Sequence, residues 1–428
     1  MIPDTFTDPR RLLPAVERRR LDNGLTVCLV PNRRAPVVAT ALVYRAGTRH
    51  ETTAEAGAAH FLEHMMFKGS PGFGVGEIDR RTRALGGSNN AFTSHDSTLY
   101  YFTFAADRWR EALAIEADRM AALNLDPKEV ESERRVILEE IAMYEGEPWD
   151  ALDQAVSRQL FEGHPYGLPV LGTRDSLLGL NGASLGDFHR RFYRPANAIL
   201  TIAGDVDAGA FDAAAEAFGA LDSGSVPTPQ STPPVSRVEG LRRLERRHGE
   251  VPRMLLAWPA PKVTDPDHPL LALLLGVLTS GRSSRLHRTL VDEGQACPWV
   301  TSDLQESIDA GASTLALEVV SGAEPEAVEE EVFRSIERLA NEGPEPDEVE
   351  RVKRMLLADW IFAHERVHQQ AFLVASAEAC WDLEHPGRYF EALLAAPMDA
   401  LSAAADRWLR PREGGVLGWS LPNGGAEA

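Results

Sequence analysis

Cysteine is almost absent from this 428-residue chain: Cys28, Cys297 and Cys380 stand far apart and form no closely spaced pair. That excludes a zinc knuckle, a redox pair and a disulfide framework, and leaves three small hydrophobes of a reducing compartment. Lysine is nearly as scarce, confined to Lys68, Lys128, Lys262 and Lys353, so arginine carries almost all the positive charge. Positive charge is itself in deficit, 44 basic against 64 acidic residues and a net charge of −20, a field that repels nucleic acid and anionic lipid. Long hydrophobic runs are missing too. The first thirteen residues carry Asp4, Asp8, Arg10 and Arg11 in place of an apolar signal core, and no stretch reaches membrane-spanning length, so the expected compartment is the cytoplasm, without a membrane partner. What remains is 44% hydrophobic and 25% charged, an ordinary globular composition at a length that supports two or three cores.

Local patterns place strands and helices together without the regular alternation of a doubly wound sheet. Residues 21–30 and 37–44 read as two strands entered through the Asn23-Gly24 turn, and 98–104 as a third. Helical periodicity runs over 54–67, 75–85, 107–124 and 128–145. An α+β arrangement follows. Residues 222–236 have the proline and small-polar composition of an extended linker. This divides the chain into 1–221, a linker at 222–238, and 239–428. Before the linker, Phe188 to Pro195 leads into an apolar strand at 198–203; near the end, Ala405 to Pro411 leads into 415–420 in the same order. The two halves thus read as a duplication.

The chemistry-bearing residues begin with His60-Phe61-Leu62-Glu63-His64. Histidines four apart on a helix stand one turn above the other, with Glu63 beside them. Two imidazoles and one carboxylate from elsewhere would hold zinc and leave its fourth position to water, with Glu63 as base. This is the inverzincin spacing, although five residues alone are also compatible with a solvated helix face. A third ligand is needed, and the helix at 128–145 offers Glu133 and Glu140, seven apart on one face, with Val136 and Ile137 on its packing side. Glu139 points about 100° away.

Order and spacing together resemble the pitrilysin and insulinase family of zinc peptidases, in its short-chain bacterial and mitochondrial processing branch. The resemblance rests on residues 57–65, Gly87 to Thr93, Glu133 to Glu140, His164-Pro165-Tyr166-Gly167 with Gly172-Thr173, and Phe192-Tyr193 to Gly204-Asp205. It implies that His60, His64 and Glu140 bind one zinc ion, that Glu133 supports the site and that Glu63 is catalytic. Peptide is implied to add as a strand along 89–92, touching Asn90 and Ala91. The implied fold is two homologous α+β domains facing each other across a chamber.

Two features complicate this expectation. His364-Glu365-Arg366-Val367-His368 matches the commoner His-Glu-x-x-His zinc motif, with Glu384 or Glu391 as a conceivable third ligand; its flanks Ala363, Val367, Ala371 and Val374 read instead as a packing helix. The family's second domain usually supplies an arginine and, seven residues on, a tyrosine that stabilise the oxyanion. Here Val291 stands at the arginine position and Cys297 or Pro298 at the tyrosine position, leaving Arg285 and Arg288 as conceivable substitutes. The expectation is therefore a zinc endopeptidase subunit that cleaves peptides or unfolded segments and works with a homologous, zinc-less subunit supplying the missing pair. The alternative is a noncatalytic assembly or scaffold subunit of the same fold.

Overall fold

The structure is a computed structural model that describes residues 13–225, 232, 235 and 239–423. The expected linker at 222–238 therefore lies largely outside the described residues. Two mixed sheets occupy separate halves of the chain. The first has the order β1-β2-β6-β3-β5-β4, built from β1 (Glu17–Arg20), β2 (Thr26–Pro31), β3 (Val37–Tyr44), β4 (Ser88–Thr93), β5 (Thr98–Ala105) and β6 (Ala198–Gly204). The second has the order β7-β11-β8-β10-β9, from β7 (Arg242–Arg247), β8 (Arg253–Ala260), β9 (Val300–Leu304), β10 (Gly311–Glu318) and β11 (Val416–Leu421). Each contains one parallel pair, β2 with β6 and β7 with β11, among antiparallel neighbours. Apart from the extra edge strand β1, the two orders correspond strand for strand, as a duplicated α+β fold requires.

Helices α1 (Ala58–Met65), α2 (Glu77–Ala84), α3 (Arg110–Ala121), α4 (Pro127–Gly146) and α5 (Pro148–Leu160) follow in the first half. Strand β3, Val-Val-Ala-Thr-Ala-Leu-Val-Tyr, is buried on both faces. Its Val38, Leu42 and Tyr44 face a core that includes Phe61, Leu62 and Met65 of α1. Its Ala39, Ala41 and Val43 face a different core, supplied by Ala371, Val374, Ala375 and Ala379 of the helix Val367–Cys380. Alanines four apart make a flat stripe on that helix and let it lie close on the sheet.

That helix belongs to the second half, and α5 makes the reciprocal crossing. Leu152, Val156 and Leu160 of α5 pack against Leu255, Ala257, Ala312 and Val416 of the second sheet. The approach is close at Gly418, where a Cβ would lie 2.7 Å from Val156 Cγ2 and 2.8 Å from Leu152 Cδ1 and would push those methyls aside. Each half thus lends a helix to the other's sheet. Burying a Leu or Val side chain contributes about 1.5–3 kcal/mol, so these two small cores tie the halves together firmly. No helix among the described residues is long and apolar enough to cross a membrane.

Val136 is not on the packing side of α4 but is 43% exposed, whereas Ile137 is fully buried. The buried stripe of α4 runs through Val130, Glu133, Ile137 and Ile141, and Val136 sits about 100° from Ile137 around the helix axis.

Candidate active site

Helix α1 begins at Gly57, whose φ of 88° suits glycine and whose side-chain position is closed off by Leu171 O at 2.7 Å. Glycine has no side chain to cap the helix, and the carboxylate of Glu51 takes over that task. It accepts from Gly57 N at 2.8 Å and from Ala59 N at 2.7 Å, two of the donors that a helix start leaves unpaired. Burial pushes the Glu51 carboxyl up to about 8, against the opposing pull of those backbone hydrogen bonds. Glu51 was not anticipated from sequence, because a cap six residues upstream follows from the path of the loop and not from spacing.

One turn apart on this helix, His60 and His64 bring their rings to 4.7 Å between centroids. Helix α4 packs across α1 and presents Glu140, whose Oε2 lies 3.8 Å from His60 Nε2 and 3.6 Å from His64 Nε2. The three donor atoms lie within 4.8 Å of one another, and among the described residues this trio is the group that could hold a metal ion. Zinc bound at roughly 2.0–2.2 Å from imidazole nitrogen and carboxylate oxygen needs ligand atoms of this type at separations near those observed. Burial, reinforced by neighbouring His64, pushes His60 down to about 3, which keeps that imidazole neutral with its lone pair free.

Glu133, one heptad before Glu140, reaches His64 from the other side, with Oε2 3.2 Å from Nδ1. Its second oxygen takes Lys68 Nζ at 2.5 Å. Burial alone would raise Glu133, but hydrogen bonds from His64 and Lys68 with the lysine charge hold it below the usual carboxylate range. A carboxylate behind a ligating imidazole fixes its tautomer and orientation. Glu139, by contrast, points to solvent.

Glu63 accepts from Thr93 Oγ1 at 2.6 Å, a contact the sequence reading missed. Burial raises its carboxyl above the ordinary value, partly countered by Thr93 and His64. Thr93 ends β4, the outermost strand of the first sheet, paired on one side with β5 and open on the other. Asn90 is exposed on this strand and Ala91 is buried. A cleft of about 430 Å³ opens here, lined by His60, Glu63 and Glu140, by Ala91 to Thr93 and His95, by Tyr144, by one side of α5 from Asp150 to Arg158, and by Tyr166 to Leu171. Every lining residue comes from the first half.

The competing motif does not assemble. His364 ends the helix Pro346–Ala363, with its ring on Trp360 and Nδ1 2.8 Å from the Trp360 carbonyl, while Arg366 starts the next helix in extended conformation. His368 packs instead beside Tyr101 and Phe372. With a chain break in helicity between them, the two histidines do not share a helix face.

Against this geometry, the comparisons with known proteins are direct. Residues 26–174 match the family described as insulinase (peptidase family M16), and residues 179–356 match its partner, described as the peptidase M16 inactive domain. A protein of Bacillus subtilis called an uncharacterised zinc protease is 30% identical over 300 residues, covering 70% of this chain and 73% of its own. The chain belongs to the insulinase peptidase family. Another relative, a zinc protease of Helicobacter pylori, is 28% identical over 361 residues, covering 82% of this chain and 80% of its own. The crystal structure of a protease from Helicobacter pylori superposes with a TM-score of 0.89 at 26% identity, over 96% of this chain and all of that one.

In this insulinase-family chain the stretch that lacks the arginine and tyrosine is occupied otherwise. Val291 packs beside the second core and Cys297 is buried in it. Arg285 is committed to both oxygens of Glu348, at 2.9 and 2.8 Å, and to the Gly343 carbonyl at 3.2 Å. Arg288 lies near Glu293 at 3.9 Å. None of these residues lines the cleft.

Proposed function

We propose that this chain is the zinc-bearing subunit of a metalloendopeptidase, with one zinc ion held by His60, His64 and Glu140. The observation that carries the reading is the convergence of His60 Nε2, His64 Nε2 and Glu140 Oε2 in a cleft that also holds Glu63. Bound there, zinc would bring a water's pKa toward neutrality and polarise the peptide carbonyl. Glu63 takes the proton of the attacking water and delivers it to the leaving amine. Thr93 holds Glu63 Oε2, which leaves the other oxygen for that proton. Glu133 orients His64. The open edge of β4 suits an extended peptide bound by main-chain hydrogen bonds, with Asn90 and Ala91 at the contact, so unfolded segments are favoured over folded proteins.

The partner follows from what the second half does not lend: the cleft has Arg158, Tyr144 and Tyr166 from the first half but no residue from the second. Oxyanion stabilisation contributes about a hundredfold or more in rate per donor, and neither Arg285 nor Arg288 of the second half lines the cleft. A homologous subunit without zinc that carries the arginine and tyrosine would complete the site; a second copy of this chain would not. Purified alone, the chain should bind zinc and cleave poorly, and co-expression with such a subunit should raise turnover by about a hundredfold or more. High turnover by the isolated chain would show that no partner is needed, and a chain that binds no zinc would remove the enzymatic reading altogether.

A further inference from the structure

Three first-half segments, two of them lining the cleft, meet one loop of the second half. They are residues 47–50 leading into α1, the turn 94–97 following β4, and the turn Pro165–Gly167. His95, Tyr166 and Gly167 from two of these segments line the cleft. Residues 307–309, between β9 and β10, reach all three. The amide of Ile308 donates to Asp96 Oδ2 at 3.3 Å, and the amide of Asp309 donates to the Tyr166 hydroxyl at 3.2 Å. The Asp309 carboxylate takes Arg49 Nη2 at 2.5 Å, while Arg49 Nη1 reaches Asp96 Oδ1 at 3.2 Å and Tyr166 donates to that same oxygen at 2.8 Å. Thr232 also accepts from Arg49 at 3.1 Å.

This is a closed network. The Arg49 and Asp96 side chains are 12% and 13% exposed, so removing one carboxylate leaves a largely buried guanidinium short of a partner. Arg49 would then draw more strongly on the Asp96 oxygen it already shares with Tyr166, and Tyr166 lines the cleft.

We propose that Asp309 is a positioning residue for peptide binding, acting through Arg49 and Tyr166 to hold the cleft wall. By this route the second half, which lends the cleft no lining residue, sets its affinity for an extended peptide. The inference rests on the reading of the cleft as the peptide site.

The test uses the full chain in a Glu63→Gln background, so that peptide is bound without turnover. Fluorescence anisotropy with a labelled, unstructured peptide gives Kd, alongside zinc content and Tm. Asp309→Asn, which keeps the side-chain shape, and Asp309→Ala should each raise Kd about tenfold, the size of a typical coupling between sites, with zinc content unchanged. Asp309→Glu should recover most of the loss. Combining Asp309→Asn with Tyr166→Phe should cost less than the product of the two single effects, because both act on one network. If the parent binds peptide and both Asp309 variants bind it equally well, whatever their Tm, Asp309 is a structural tie only and the inference fails. If the parent binds no peptide, the peptide-site reading fails first and takes this inference with it.

Discussion

Replacing Glu63 by glutamine changes one atom of the site and separates its two tasks, holding metal and moving a proton. The amide oxygen can still accept from Thr93, so the side chain keeps its place. His60, His64 and Glu140 are untouched, and Glu63 is not among the converging donor atoms. Zinc content should therefore stay at that of the parent. The amide has no basic oxygen for the attacking water's proton, and general base catalysis typically supplies 10²–10⁴-fold, or about 2.7–5.4 kcal/mol of barrier at roughly 1.36 kcal/mol per tenfold. The measurement is kcat/KM on an internally quenched peptide, with the homologous subunit present, beside metal analysis of the same preparation. A loss of at least a hundredfold with zinc retained is expected. Activity near that of the parent would refute the role of Glu63, and loss of zinc would place Glu63 among the ligands.

Glu133→Gln should weaken zinc affinity by about 10–100-fold, the usual effect of removing a carboxylate from a ligating histidine, as read by competition with a chelator; unchanged affinity would make the His64 contact incidental. Glu365→Gln should leave zinc content and turnover within error, since His364 and His368 lie on separate helices; a large loss would mean that the second motif is functional. In the metal-free protein, burial raises the Glu63 carboxyl above the ordinary glutamate value. The folded state then holds that proton more tightly than the unfolded chain, so the stability Glu63 contributes is present at low pH and is lost as pH rises through its raised pKa. Glu63→Gln should remove that part of the pH dependence of metal-free unfolding, and an identical profile in parent and variant would contradict the shift.

Much of the first half is legible in the sequence because its strands are apolar enough to declare themselves. Val37–Tyr44 and Thr98–Ala105 have the β-branched and aromatic content of buried strands. The strand that matters most, Ser-Asn-Asn-Ala-Phe-Thr in β4, has no such signature, since an edge strand beside a cleft buries little; family resemblance alone pointed to it. The all-charged β1 is hidden for the same reason. Spacing put His60 and His64 on one face of one helix and Glu133 and Glu140 on one face of another; that Glu140 is the carboxylate joining the histidines was implied by the family resemblance alone. The exchange of helices between halves was not, because an alanine stripe such as Ala371, Ala375 and Ala379 gives no sign of which sheet it covers. Nor were Glu51, Thr93 and Asp309, whose contacts depend on loops that fold over from distant positions.

Whether His60, His64 and Glu140 together hold zinc can be read from X-ray absorption at the zinc edge of the purified chain. One zinc per chain is expected, with two imidazoles and light oxygen donors at about 2.0–2.2 Å and no sulfur. In the same experiment, His60→Ala or Glu140→Gln should lose an imidazole or an oxygen contribution respectively, with weakened retention of the metal. A sulfur-containing shell, or a spectrum unchanged by both substitutions, would show that the metal sits elsewhere.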